Sequence, residues 1–141
     1  MNPYHKYQEI QVKTADQGKL ILMMYDGAII FLQQAKEFSR DKDYVAKSEK
    51  ITRTQDILFE LMAALNMEAG SIAINLKSLY TYMVKRLFDA NFKNDLHAIE
   101  ESIKIMSELR ESWEKIVSKP EHKNNTESKN NIAQQAQMVH I

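Results

Sequence analysis

The chain has 141 residues, enough for one domain with a single core. Its 19 basic and 19 acidic residues cancel, so the basic excess typical of nucleic-acid-binding proteins is missing. The chain has no cysteine, which excludes disulfides and thiolate metal sites and fits a cytoplasmic location. No apolar stretch matches a signal peptide or a membrane span, so we expect no membrane insertion.

The composition favours long helices over sheets. Only three glycines and two prolines occur, and no proline lies between Thr14 and Lys119. A sheet protein needs more turn-forming residues than this, whereas a long helix excludes proline from its interior. We therefore predict an all-α protein.

The first predicted helix begins at Thr14, where Thr14 and Gln17 have the spacing of a capping box. Two adjacent rows of apolar residues at steps of three and four continue to near Ser39, which predicts one broad buried face. We interpret Gly27 as a point of close approach between helices. The rows are Ile21, Met24, Ala28, Phe31, Ala35 and Phe38, and Leu22, Tyr25, Ile29 and Leu32, with Met23 and Ile30 outside them.

Two further helices follow. Asp43 is the predicted N-cap of the second helix, and Ser71 that of the third. Gly70, between them, can adopt a positive φ at little cost. The second helix is predicted to bury Tyr44, Ile51, Leu58, Leu61, Met62 and Leu65. The third is predicted to bury Ile72, Leu76, Leu79, Met83, Leu87 and Ala90, with Ile74, Tyr82 and Val84 outside that stripe.

A fourth helix begins after Asp95, which is a favourable N-cap, and ends before Pro120. Because the connections are only about four or five residues long, neighbouring helices must be antiparallel. We predict an antiparallel up-down-up-down four-helix bundle over residues 14–118, with a flexible N-terminal arm (1–13) and a polar, disordered C-terminal tail (119–141). The fourth helix is predicted to bury Leu96, Ile99, Ile103, Met106, Trp113 and Val117.

No pattern of residues predicts catalysis or cofactor binding. The Glu-x-x-His pairs of metal-binding bundles are absent; His97 and Glu100 occur once, in the reverse order. No glycine-rich phosphate loop occurs, and no histidine is paired with a nucleophile. We interpret the basic residues, Lys47 among them, as solvent-exposed. We therefore expect no enzyme, no cofactor, no metal and no nucleic acid.

The supply of large apolar side chains exceeds the needs of a small core, since the chain has eight Met, six Tyr and five Phe residues. Methionine and aromatic residues are favoured on binding surfaces because they adapt to a partner and make large contacts. One interpretation is that they form half-buried edges of the bundle. The other is a groove that accepts an amphipathic helix from a partner.

Several segments, in order, resemble the FliS family of flagellin export chaperones. They are YQEIQV at residues 7–12, KLILMMYDGAI at 19–29, LNMEAG at 65–70, LYTYMVKRL at 79–87 and ELRESW at 108–113. The resemblance covers roughly residues 7–118. It implies a cytoplasmic chaperone that binds the C-terminal amphipathic segment of flagellin, prevents premature polymerisation and supports delivery to the flagellar type III export apparatus. Export-gate components and flagellar regulators are further partners that it implies.

The resemblance also implies that Tyr7 and Ile10, in the arm, contact the partner, and we expect this arm to act as a latch over the binding groove. The remaining predicted flagellin-binding residues are Leu22, Tyr25 and Ile29 on the first helix and Tyr80, Met83 and Arg86 on the third. The alternative is a structural or regulatory bundle that self-associates through an exposed apolar face. A metal-binding bundle enzyme is a third possibility, weakened by the missing ligands.

Overall fold

The computed structural model describes residues 17–118, which form four long α-helices. Helix α1 spans Gln17–Arg40, α2 Tyr44–Ala63, α3 Ser71–Phe92 and α4 Leu96–Ser118. A 3-10 turn, Met67–Ala69, lies between α2 and α3. The predicted arm, the predicted tail and the capping residue Thr14 lie outside the described residues.

Each helix is antiparallel to its neighbours in the bundle. In every neighbouring pair, residues near the start of one helix contact residues near the end of the other. Helices α1 and α3 lie on opposite corners of the bundle, as do α2 and α4. The predicted all-α up-down-up-down bundle is thereby confirmed. The contacts are Phe31–Lys50 and Gly27–Ile57 between α1 and α2, Lys47–Ala90 and Gln55–Val84 between α2 and α3, Arg86–Asp95 and Tyr82–Glu101 between α3 and α4, and Lys36–Glu100 and Asp26–Arg110 between α1 and α4.

The core follows the predicted rows closely in α1 and less closely in α3. In α1, the two rows supply all five buried side chains, namely Ile21, Tyr25, Ala28, Leu32 and Ala35. In α3, the buried face is rotated: Ile72, Leu76 and Leu79 are only partly buried, whereas the core includes Ala73, Tyr80 and Val84. Val84, predicted to lie outside the stripe, is buried beside α2, where Gln55 Nε2 donates to its backbone carbonyl at 3.1 Å. In α2, Tyr44 is 44% exposed, so its predicted burial is wrong.

The helix ends test the predicted caps. The Asp43 carboxylate accepts the Ala46 N–H at 3.2 Å, so the predicted cap of α2 is confirmed. At the start of α4, the backbone N–H of Ala98 donates to the backbone carbonyl of Asp95 at 3.2 Å, and the side-chain cap predicted for Asp95 stays a prediction. Gly70 has the predicted positive φ, at 90°. Gly70 itself is the N-cap of α3, and no side chain caps this helix, so the prediction for Ser71 is wrong.

Gly27 does not mark a forced close approach between helices. A Cβ atom built on Gly27 would lie 3.6 Å from Cδ1 of Ile57, which is an ordinary van der Waals distance. The neighbouring helix therefore leaves room for a side chain at this position, and the sequence-based interpretation of Gly27 is wrong.

A hydrogen-bonded tyrosine pair crosses the centre of the bundle. The hydroxyl oxygens of Tyr25 in α1 and Tyr80 in α3 lie 2.5 Å apart, and both side chains are buried. Trp113 of α4, which is also buried, lies next to this pair. Burial raises the pKa of Tyr25 well above its ordinary value, and the neighbouring Tyr80 raises it further. Burial also raises the pKa of Tyr80, to about 12.

Lys47 is a buried cation at the end of α3. Its side chain is 1% exposed, and Nζ donates to the carbonyl oxygens of Ala90 at 2.9 Å and Asn91 at 3.5 Å, and to Oδ1 of Asn94. These carbonyls belong to the last turn of α3, where no intrahelical donor remains. The ammonium group therefore caps α3 from α2 and complements the helix dipole, although burial lowers its pKa. The interpretation of Lys47 as a solvent-exposed residue is wrong.

We expect Lys47→Met to lower the free energy of unfolding by about 1–3 kcal/mol, because it keeps the apolar stem but leaves the α3 carbonyls without a donor. Urea denaturation at pH 7 measures the change. Lys104→Met, on the exposed face of α4, is the control and should change stability by less than about 0.5 kcal/mol. Equal stability of the two variants would contradict the capping role.

The tyrosine pair predicts a loss of stability at alkaline pH. Because both folded-state pKa values are raised, the folded state holds more protons than the unfolded state once the pH passes the ordinary tyrosine pKa of about 10. The contribution of the pair is therefore fully present below about pH 10 and is lost as the pH rises toward 12. Denaturant titrations at pH 8 and pH 11 should show a larger fall in stability for the native protein than for Tyr25→Phe/Tyr80→Phe. An equal fall in both proteins would refute this assignment.

Candidate partner-binding surface

The predicted binding residues on α1 lie at or near the core. Tyr25 is fully buried, whereas Leu22 and Ile29 are partly buried at the edge of the core cluster. Their shared row faces inward, which is what an apolar row at helical spacing most often does. Tyr25 therefore packs in the core, whereas Leu22 and Ile29 keep part of their side-chain surface exposed.

The predicted binding residues on α3 divide in the same way. Tyr80 and Met83 are buried in the core. Arg86 is partly exposed and interacts with three carboxylates, at 3.2 Å from Asp89, 3.3 Å from Asp95 and 3.3 Å from Glu101. The Arg86 guanidinium thus joins the end of α3 to the start of α4. The binding roles assigned to these residues stay predictions, and Tyr7 and Ile10 lie outside the described residues.

A hydrogen bond reinforces the junction around Arg86. The Tyr82 hydroxyl donates to Oε1 of Glu101 at 2.6 Å. This bond lowers the pKa of the Glu101 carboxyl, desolvation opposes the effect to a lesser degree, and Arg86 lowers the pKa further. Glu101 is therefore held ionised between two donors from α3. The cluster joins α3 to α4, and its three carboxylates outnumber the single Arg86 guanidinium.

The exposed apolar side chains concentrate along the junction of α2 and α3, which we call the α2–α3 seam. Each helix contributes one row with heptad spacing, and the two rows run antiparallel. The rows are Val45, Thr52 and Phe59 from α2, and Ile74, Thr81 and Phe88 from α3, with Phe92 one turn beyond Phe88.

Contacts between the helices place both rows on the seam. In α2, Phe59 lies between Gln55, which donates to the Val84 carbonyl of α3, and Met62, which contacts Thr81 of α3. The Thr81 hydroxyl lies 3.6 Å from Sδ of Met62 and donates its proton to the Lys77 carbonyl at 2.7 Å. The two rows therefore border one continuous groove, because residues three and four apart on a helix lie on the same face.

The seam is strongly apolar at one end. Val45 and Phe92 are 84% and 82% exposed, and the rings of Phe88 and Phe92 stack with centroids 6.3 Å apart. Tyr44, Val45 and Asn91 line a common depression between the start of α2 and the end of α3. Exposed apolar side chains grouped in this way make this end of the seam a candidate interaction site.

The excess of apolar residues noted in the sequence is therefore real, but most of it lies elsewhere than predicted. Met23, Ile30, Ile74 and Tyr82 are exposed, as their positions outside the rows suggest, whereas Val84 is buried. The seam residues of α2 and the two stacked phenylalanines were not singled out. Their signal was available as two rows with heptad spacing, 45/52/59 and 74/81/88, displaced from the inward stripes.

Within residues 17–118, no cluster of three or more His, Asp or Glu side chains has the proximity needed to hold a metal ion. None of the four described helices is both long enough and apolar enough to cross a membrane.

Comparisons with known proteins identify the family. Residues 1–120 match the family model described as Flagellar protein FliS. The chain is 41% identical over 113 residues to the flagellar secretion chaperone FliS of Salmonella typhimurium, covering 79% of this chain and 84% of that protein. It is 33% identical over 116 residues to the flagellar secretion chaperone FliS of Bacillus subtilis, covering 82% and 86%. The predicted resemblance is confirmed, and the chain belongs to the FliS family of flagellar secretion chaperones.

Proposed function

We propose that this protein is a cytoplasmic export chaperone that binds the C-terminal amphipathic segment of flagellin, keeps it from polymerising and supports its delivery to the flagellar type III export apparatus. Membership of a family whose curated relatives are named flagellar secretion chaperones supports the proposal. The α2–α3 seam is the observation that carries it, because a chaperone needs accessible apolar surface to cover an amphipathic stripe. Binding alone accounts for this role, without catalysis or a cofactor.

The binding residues divide into accessible and buried groups. We propose that Phe59, Phe88 and Phe92 supply the main contacts, since large aromatic side chains dominate binding energy at interfaces. Tyr7 and Ile10, with Leu22, Ile29 and Arg86, are proposed secondary contacts. Tyr25, Tyr80 and Met83 act by holding the helices in place, unless binding opens the bundle and exposes these side chains. Export-gate components and flagellar regulators are proposed further partners.

Titration calorimetry with a synthetic C-terminal flagellin segment tests the proposal. We expect binding with a negative heat-capacity change, because apolar surface becomes buried. The alternative is that the bundle self-associates through its exposed apolar face. Sedimentation of the free protein tests the alternative: a dimer that shows no heat with the flagellin segment would favour it and refute the chaperone.

We expect Phe59→Ala with Phe88→Ala to weaken flagellin binding at least tenfold, which corresponds to a loss of about 1.4 kcal/mol. The melting temperature should stay close to that of the native protein, because both rings are about half exposed. The matched control is Met23→Ala with Ile30→Ala, whose side chains are similarly exposed on the outer face of α1. An equal loss of affinity in the control would remove the seam from the binding site.

The arm gives a separate prediction. We expect Tyr7→Ala with Ile10→Ala to change flagellin affinity and to raise the binding of a hydrophobic dye to the free protein, because a tethered apolar segment shields a groove effectively. Deletion of residues 1–6 is the control and should change little. If affinity and dye binding both stay at native values, the arm is no latch.

A further inference from the structure

The two edges of the α2–α3 seam carry opposite charges. On α3, Lys77 and Lys85 border a shallow depression together with Ser78, Thr81 and Tyr82. On the α2 edge, Asp56 and Glu60 lie one turn apart, and Asp56 borders the depression that contains Val45. The seam thus has two basic side chains on its α3 side and two acidic side chains on its α2 side.

These four charges are not used within the described part of the chain. None of them lies within ion-pair distance of an opposite charge among residues 17–118, although ten other such contacts are present there. By contrast, Glu49 on the same helix is paired with Arg53 at 3.5 Å. The unpaired charges are therefore available to a ligand that lies along the seam.

The length of the seam suits a helix. Val45 and Phe59 are 14 residues apart, which corresponds to about 21 Å along α2 at 1.5 Å per residue. A guest helix of about four turns would lie over this distance with its apolar stripe on the two rows. Its flanking residues would then face Lys77 and Lys85 on one side and Asp56 and Glu60 on the other.

We propose that the seam binds an amphipathic helix whose apolar stripe has an acidic flank, directed to α3, and a basic flank, directed to α2, and that this charge pattern fixes the direction in which the helix lies. Turning a helix end for end on the seam exchanges its flanks, so only one direction pairs both sets of charges. The reverse direction places like charges opposite each other, which is unfavourable. The inference deepens the proposed function and relies on it only for the identity of the natural partner.

The first test measures affinity with a designed probe, an 18-residue amphipathic peptide with glutamates on one flank of its apolar stripe and lysines on the other. Lys77→Glu/Lys85→Glu and Asp56→Lys/Glu60→Lys should each weaken binding about tenfold at low salt and less at high salt. The inverted variant, which combines all four substitutions and keeps the net charge, should bind about as well as the native protein. Lys19→Glu/Lys104→Glu makes the same charge change as the first variant at exposed positions off the seam and should bind normally.

The second test measures direction. Because the chain has no cysteine, Ser48→Cys and Ser78→Cys each introduce a unique thiol, one near either end of the seam. A peptide with a thiol-reactive group at its N-terminus should modify one of these cysteines preferentially. In the inverted background the preference should move to the other cysteine. Equal modification of both cysteines, or an unchanged preference in the inverted background, would overturn the inference.

Other occupants of the seam give different results. A dimer of the free protein that dissociates in Lys77→Glu/Lys85→Glu would show a second copy on the seam and overturn the proposal. Peptide affinity that rises strongly when residues 119–141 are removed would show that the tail occupies the seam, and would also overturn it.

Binding measurements with the flagellin segment distinguish a failure of this inference from a failure of the proposed function. If the affinity of the designed peptide changes among the charge variants as predicted but the flagellin segment does not bind, the proposed function fails and the charge pattern stands. If the flagellin segment binds the native protein and all charge variants equally, the function stands and the charge pattern is wrong.

Discussion

The contact between Tyr25 and Tyr80 is the constraint on which the arrangement of the four helices depends. It joins α1 to α3 across the diagonal of the bundle, beside the buried Trp113 of α4. A buried hydroxyl without a partner is costly, so α1 and α3 have few alternative rotations about their axes. Once α1 and α3 are fixed in this way, Val84 faces α2 and the rows that border the seam face outward.

Charged groups then secure the ends of the helices. Lys47 ties the start of α2 to the end of α3, and Arg86 ties the end of α3 to the start of α4. Both residues lie at the same end of the bundle, where the connection after α3 turns through Asn94 at a φ of 52°. The apolar core of this small bundle is thus supplemented by polar contacts where the chain reverses direction.

Much of the fold could be predicted from the sequence, because apolar periodicity directly reports which helical face is buried. The α1 rows were predicted correctly for this reason, and the cap at Asp43 was predicted correctly from the capping preference of aspartate. The rotation of α3 could not be predicted, since it depends on packing against other helices: the hydrogen-bond partners of Tyr80 and Val84 lie 55 and 29 residues away in the sequence. Lys47 was misread for the same reason, because the carbonyls that bind it lie 43 or more residues further along the chain. The burial of Tyr25, Tyr80 and Met83 could not be established from the sequence, because an apolar row does not show whether a side chain packs in the core or contacts a partner.

The seam is formed by two different helices, so the concentration of a bound partner affects how much of the protein is folded. A segment that binds across α2 and α3 binds only the folded protein, because unfolding separates the two rows. At a free concentration 100 times its Kd, such a segment would stabilise the fold by about 2.7 kcal/mol. Unfolded molecules are the ones that proteases degrade. The protein would therefore be degraded fastest when its partner is scarce, and the amount present in the cell would follow the demand for export.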